Sequence, residues 1–218
     1  MSKDFMQRNV NADIVLIADS RVLKIPVQEN NEPLFDLRAQ EIISFGPSPE
    51  VPNNTDYTWV RLTVYRMLIK AQEYLPEGLR LCLYEGYRSI GLQEQLFNNY
   101  FDKVKKKYPS WNHQEIFFET TKLVAPVTNI DGSSNIPPHS TGGAIDVYLI
   151  DNNEQVVDMG IRVEDWMSDI DGRISQTNSS EISEKAKKYR SILSNALQAA
   201  GFVNCPTEYW HWSYGDRY

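Results

Sequence analysis

The chain contains three histidines, and two of them stand among residues able to do metal chemistry. His139 begins the run His139-Ser140-Thr141-Gly142-Gly143-Ala144-Ile145-Asp146, and His211 lies between Trp210 and Trp212, shortly after Glu208. Asp146 falls inside the apolar run from Ala144 to Ile150. A carboxylate buried there without a partner is costly or gives up its charge. It therefore calls for an arginine, a backbone donor or a metal ion beside it. Two histidines and one aspartate match the three-ligand set of a catalytic zinc site, in which a fourth position stays open for water or substrate. Glu208 could supply a general base beside such a centre. Arg88, at the end of Glu85-Gly86-Tyr87-Arg88, could supply positive charge to a developing oxyanion.

Each of these residues also has a plainer reading. His139 and Asp146 could form a simple hydrogen bond. His211 could be a core histidine packed by its tryptophan neighbours, and Arg88 a surface residue or a carboxylate's partner. It is the combination that points to hydrolysis at a metal. His113 falls at a helix start and is left out of the site, and Asp158 shapes a turn. The basic run Lys103 to Lys107 reads as a solvated helix C-terminus, where the macrodipole favours cations.

The elements that must position these side chains can be read from periodicity. In the strand Ala144–Ile150, Ile145, Val147 and Leu149 share one face, and Ala144, Asp146 and Tyr148 share the other. Gly142 and Gly143 allow the sharp turn that would fold His139 back toward Asp146. Positions three apart face opposite sides of a strand, so Glu208 and His211 can serve one site only if the chain bends between them. Asp13–Ile17 and Arg21–Val27 read as short strands, the second at an edge because of Pro26. Gly46–Asn54 reads as a proline-rich surface connection. A helix carries Val60, Val64, Met67, Leu68, Ala71 and Leu75 on one stripe and stops at Pro76. Leu79, Leu81 and Leu83 alternate with polar neighbours as a half-buried strand does.

A second helix begins near Ser89, with Leu92, Leu96, Tyr100 and Val104 on its stripe. Asn112 and Glu115 form a capping-box pair that opens a third, from His113 to Leu123. Asp151 to Ser180 reads as a long irregular segment suited to act as a lid. A last helix starts near Ser180, carries Ile182, Ala186, Tyr189, Leu193, Ala196 and Ala200, and ends at Gly201. Helices and short strands interleave irregularly, which predicts an α+β fold with a mainly antiparallel sheet and flanking helices.

The 218 residues, 41% of them apolar, suit one domain spanning 1–218, with strands and loops in 1–55. A net charge of −7 argues against nucleic acid or an anionic membrane as partner. Two distant cysteines, Cys82 and Cys205, make no disulfide framework and suit a reducing compartment. The first residues lack a signal-peptide pattern. A cytoplasmic location is expected, or a periplasmic one if an export leader has been removed.

Three motifs, taken in order, resemble those of the zinc D-alanyl-D-alanine dipeptidases, relatives of the zinc D,D-carboxypeptidases and of the zinc-binding Hedgehog signalling domain. Gly-Tyr-Arg matches at Gly86, Tyr87 and Arg88. His-x-x-Gly-x-Ala-x-Asp matches at His139, Gly142, Ala144 and Asp146, and Glu-x-Trp-His at Glu208, Trp210 and His211. The resemblance covers Val60 to Tyr218. It implies a Hedgehog/DD-peptidase-like fold and one Zn2+ per chain held by His139, Asp146 and His211. It also implies Glu208 as catalytic base and then acid, Arg88 as stabiliser of the tetrahedral intermediate, and hydrolysis of a small D,D-dipeptide to two D-alanines. The alternatives are a peptidoglycan carboxypeptidase or endopeptidase acting on longer peptides, and a non-catalytic zinc-stabilised binding module. Glu85 and Ser89 stand where the family often has Asp and Pro. Pro137 stands where it usually has a substrate-pocket Ser, a change that bears on the substrate and not on the metal.

Overall fold

The computed structural model describes residues 14–217. Along the chain come α1 (Ser20–Leu23), β1 (Leu34–Asp36), β2 (Ser44–Phe45), β3 (Trp59–Arg61), α2 (Leu62–Glu73) and β4 (Leu79–Glu85). Then follow α3 (Ile90–Lys107), α4 (His113–Thr120), β5 (Ala144–Asp151), α5 (Glu184–Ala200), β6 (Val203–Asn204) and β7 (His211–Ser213). The fold is mixed α+β. A five-stranded sheet has the order β2-β4-β5-β7-β6, and β1 pairs with β3 in a separate two-stranded sheet. The large sheet is antiparallel except at its edge, where β2 runs parallel to β4. No helix among the described residues is long and apolar enough to cross a membrane.

The alternating pattern of β5 does its expected work. Its register on β4 sets Leu81 opposite Leu149 and Leu83 opposite Val147. These four side chains form one apolar face with Ile145. Helices α2 and α5 cover that face through Val64, Leu68, Leu193 and Leu197. The other face of β4 is covered as well, so Cys82 and Tyr84 are also buried and the strand is not the half-exposed one expected from its alternation. A second cluster forms to one side, where Leu96, Phe97 and Tyr100 of α3 meet Ile116 and Phe117 of α4. Trp166 packs against both clusters.

The helix ends follow their local chemistry. Ser89 caps α3, Asn112 and Glu115 form the capping box of α4, and Ser183 caps α5. α5 ends on Gly201 at φ 104°, a conformation that glycine adopts at least cost. α5 starts later than its apolar stripe suggests, so Ile182 lies before it. The stretch Arg21–Val27 is not a strand. Asp19 accepts from the Arg21 backbone N–H, caps α1 and pairs with the Arg21 side chain. That local side-chain bond wins over β-branched propensity. Ile14 to Ile17 form no strand, and Asp13 lies outside the described residues.

The segment after β5 is irregular apart from a 3-10 turn at Val163–Ser168. Much of it is core and not free flap. Met159 and Val163 are buried. The buried Arg190 of α5 donates to the carbonyls of Met159, Ile174 and Gln176 and so staples the segment to the helix. Cys82 and Cys205 are both buried and form no disulfide.

Truncating Leu149 to Ala should cost about 2–5 kcal/mol of unfolding free energy, through lost burial and the cavity left behind. Ile136→Ala, at a side chain 50% exposed, should stay within about 0.5 kcal/mol of the parent. Denaturant unfolding of the two variants measures both.

Candidate active site

Strand register brings the chemical groups together. Asp146 on β5 lies directly opposite His211 on β7, and on its other flank opposite Glu85 on β4. A regular β4 would leave Glu85 on the core face with Leu83. The register instead shifts between Leu83 and Glu85, and this extra residue at Tyr84 carries Glu85 across to face Asp146. His139 arrives from a short 3-10 turn, Pro138–Thr141, that ends at Gly142 with φ 72°. That turn is anchored by Arg61, whose Nε donates to the Thr141 carbonyl at 2.7 Å and whose backbone N–H donates to the Gly142 carbonyl at 2.9 Å. The expected bend between Glu208 and His211 is a turn in which the His211 N–H donates to the Glu208 carbonyl at 3.2 Å.

Three donor atoms converge. His211 Nδ1 lies 3.0 Å from Asp146 Oδ1 and 3.1 Å from His139 Nε2, and His139 Nε2 lies 3.4 Å from Asp146 Oδ1. A tetrahedral ion with nitrogen and oxygen ligands at about 2.0–2.1 Å needs ligand–ligand edges of roughly 3.3 Å. The donor set therefore fits a small divalent metal in both chemistry and spacing. His139 Nδ1 donates to the Gly86 carbonyl at 2.8 Å. This places the ring proton on Nδ1, leaves Nε2 with a lone pair, and fixes the ring as metal-binding histidines require. Burial alone would raise the Asp146 carboxyl. The two imidazoles outweigh it and hold that carboxyl well below its usual range.

Glu208 sits beside this set. Burial pushes its carboxyl up to about 7, and the nearby Asp146 adds to the shift. Trp210 Nε1 donates to Glu208 Oε2 at 2.9 Å and orients it. Arg88 is nearly buried. Its Nε donates to Glu85 Oε1 at 3.0 Å, its Nη2 donates to Glu85 Oε2, and its Nη1 donates to Gln93 Oε1 at 2.9 Å. Burial works against the Arg88 charge, and Glu85 overrides it and raises the guanidinium pKa. Three of the five guanidinium donors are thus engaged, and two remain. All five expected residues, His139, Asp146, His211, Glu208 and Arg88, line one cavity of about 50 Å³ between the two hydrophobic clusters. That is room for a few waters.

Residues 57–218 match the Peptidase M15 family, described as D-ala-D-ala dipeptidase. The chain belongs to this peptidase family. It is 27% identical over 215 residues to the D-alanyl-D-alanine dipeptidase of Synechocystis sp., covering 89% of this chain and 87% of that protein. Among solved structures it resembles VanYB in complex with D-alanine-D-alanine, at 16% identity and a TM-score of 0.40, over 88% of this chain and 82% of the other. It also resembles a zinc-bound variant of the vancomycin-resistance D,D-pentapeptidase VanY, at 17% identity and a TM-score of 0.37, over 88% of each chain. Membership rests on the family match.

Several parts of this dipeptidase-family site carry no signature in the sequence. Gln93 links Arg88 to the far wall, its Nε2 donating to the Ala125 carbonyl at 2.8 Å. Lys122, Val163 and Trp166 also line the cavity. Of the two tryptophans flanking His211, Trp210 lines the cavity, and Trp212 is fully buried in the main core because it points away from the face that His211 occupies. His113 is exposed and lies outside the cavity, stacked near Phe101 and Phe117. Asp158 accepts from the Gly160 N–H and shapes its turn, as expected.

Gly86 offers a test of how the turns hold the donors. A Cβ there would lie 2.6 Å from the Trp59 carbonyl and 2.8 Å from Val60 Cγ1. Gly86→Ala should shift the carbonyl that orients His139, cost about 1–3 kcal/mol of stability and weaken metal affinity by about 10–100-fold. Metal titration of the folded variant reads the second effect.

Proposed function

We propose that this protein is a zinc-dependent dipeptidase that hydrolyses D-alanyl-D-alanine to two D-alanines. One observation carries the reading. In a chain of the dipeptidase family, three metal-competent donors converge within 3.0–3.4 Å beside a buried carboxyl and a buried guanidinium in one small cavity. His139, Asp146 and His211 would hold one zinc ion, with one carboxylate and two neutral imidazoles leaving the centre net positive. When bound, the ion supplies Lewis acidity toward the scissile carbonyl and lowers the pKa of a water.

The protein's own groups do the rest. Ionised Glu208, oriented by Trp210, accepts a proton from the attacking water and delivers it to the departing amine as the C–N bond breaks. The two uncommitted donors of Arg88 face the charge that develops on the carbonyl oxygen. Glu85 and Gln93 hold the guanidinium still, so no side-chain reorganisation is needed as that charge appears. The family match, described as D-ala-D-ala dipeptidase, favours a free dipeptide over a longer chain. A substrate panel of D-Ala-D-Ala, N-acetyl-D-Ala-D-Ala, L-Ala-L-Ala and a pentapeptide ending in D-Ala-D-Ala tests this. Cleavage of the free D,D-dipeptide well above the others is expected. Equal cleavage of the pentapeptide would replace the reading with a carboxypeptidase.

The purified protein should carry about one zinc per chain. His139→Ala should lose it, and Glu208→Gln should keep it while turnover falls at least about 10²–10⁴-fold. Elemental analysis and a chelator titration check the first two statements, and steady-state kinetics the third.

The pH dependence has a definite sign. Protonated Glu208 cannot act as a base, so kcat/KM rises as pH rises through the pKa of its carboxyl. Without metal that carboxyl lies at about 7, and a cation beside it favours the ionised form. The acid limb should therefore fall at or below about pH 7. It should vanish from the residual activity of Glu208→Gln.

A further inference from the structure

The cavity holds a second cation besides Arg88. Lys122 lies two residues beyond the end of α4, in the run Thr121 to Ala125 that forms one wall. Its ammonium lies 2.7 Å from Glu119 Oε1, and the side chains of Lys122 and Glu119 are only 10% and 6% exposed. A nearly buried ion pair gains little stability over apolar side chains of similar size, because desolvating both charges offsets their attraction. Its place in the wall of the reaction cavity therefore needs another reason.

Donor accounting supplies one. An ammonium has three N–H donors, and Glu119 Oε1 accepts one of them. The charge of Arg88 is already matched by two bonds to Glu85. Asp146 and Glu208 make the metal side of the cavity acidic. Lys122 is thus a cation in the lining with donors to spare and no carboxylate of the metal side against it. Its wall is also fixed in place, since Gln93 ties the Ala125 carbonyl to Arg88. Glu119 accepts one bond from the ammonium and holds it in the wall.

We propose that Lys122 receives the free C-terminal carboxylate of the substrate, so that the enzyme reads the chain end one residue beyond the scissile bond. The inference rests on the dipeptidase reading and deepens it. The dipeptide already carries that carboxylate, and Lys122 is the group that holds it. Charge-assisted hydrogen bonds from Lys122 hold that carboxylate while Arg88 stays available to the reacting carbonyl.

The test compares D-Ala-D-Ala with its C-terminal amide. The parent should favour the acid by about tenfold or more in kcat/KM, the usual cost of losing a charge-assisted bond. In Lys122→Met the acid-to-amide ratio should fall toward one, mainly through KM, and Lys122→Arg should restore part of it. Lys122→Met leaves Glu119 buried without its partner, so the double variant Lys122→Met/Glu119→Gln is measured beside it and should show the same collapse. Equal cleavage of acid and amide by the parent would overturn the proposal. So would an equal loss on both substrates in the lysine variants, which would mark the pair as structural. Binding of acid and amide is also measured by calorimetry in metal-loaded Glu208→Gln, with and without Lys122→Met. If the parent cleaves neither substrate, the dipeptidase reading fails, and this binding preference still decides the role of Lys122. A preference for the acid that disappears with Lys122→Met supports it, and no preference sinks it.

Discussion

A carboxylate in the middle of a sheet must be compensated, and in this protein that need organises everything around it. Asp146 lies between two neighbouring strands, and each brings it a different kind of group. β7 brings His211 on one side, and β4 brings Glu85 on the other. The second is a like charge and would destabilise the arrangement alone. Arg88 neutralises Glu85 through two bonds, and the two imidazoles compensate Asp146. The result is two adjacent charge systems built on paired backbone. One is suited to a metal ion. The other immobilises a guanidinium with donors left over.

The surrounding fold is what makes these systems effective. The main core lies under the β4–β5 face and the α3–α4 cluster stands to one side, with the cavity between them. Apolar walls keep the local dielectric low, which strengthens each charge interaction inside and raises the cost of any unpaired group. Glu208 shows both effects. Burial disfavours its charge and brings its carboxyl to about 7, while the indole of Trp210 holds it in position.

Local patterns in the chain were enough to find the metal-competent set. The alternation of β5 exposes Asp146 as misplaced among apolar residues, and the three-residue spacing of Glu208 and His211 demands the turn that is present. Asn112 and Glu115 announce α4 in the same way, since a capping box needs only neighbours in sequence. What stayed hidden depends on distant approach. Gln93, Lys122 and Trp166 reach the cavity only because the α3–α4 cluster docks beside the sheet, and no periodicity encodes that docking. The parallel pairing of β2 with β4 is equally non-local. The α1 helix was missed for the opposite reason. A single side chain, Asp19, decides it, against the trend of the residues that follow.

The irregularity at Tyr84 places a constraint on how this chain can change its length. A side chain there can be exchanged while the register persists. If β4 paired every residue in turn, without the bulge, Glu85 would turn toward the apolar face beside Ile145 and Val147. The guanidinium of Arg88 would lose its partner in the same event. Loops such as Gly46–Asn54 can lengthen or shorten at modest entropic cost. In β4, gain or loss of one residue between Leu79 and Leu83 would move one or more of those leucines off the apolar face or Glu85 off Asp146, so the spacing of this strand is under tighter restraint than most of its identities.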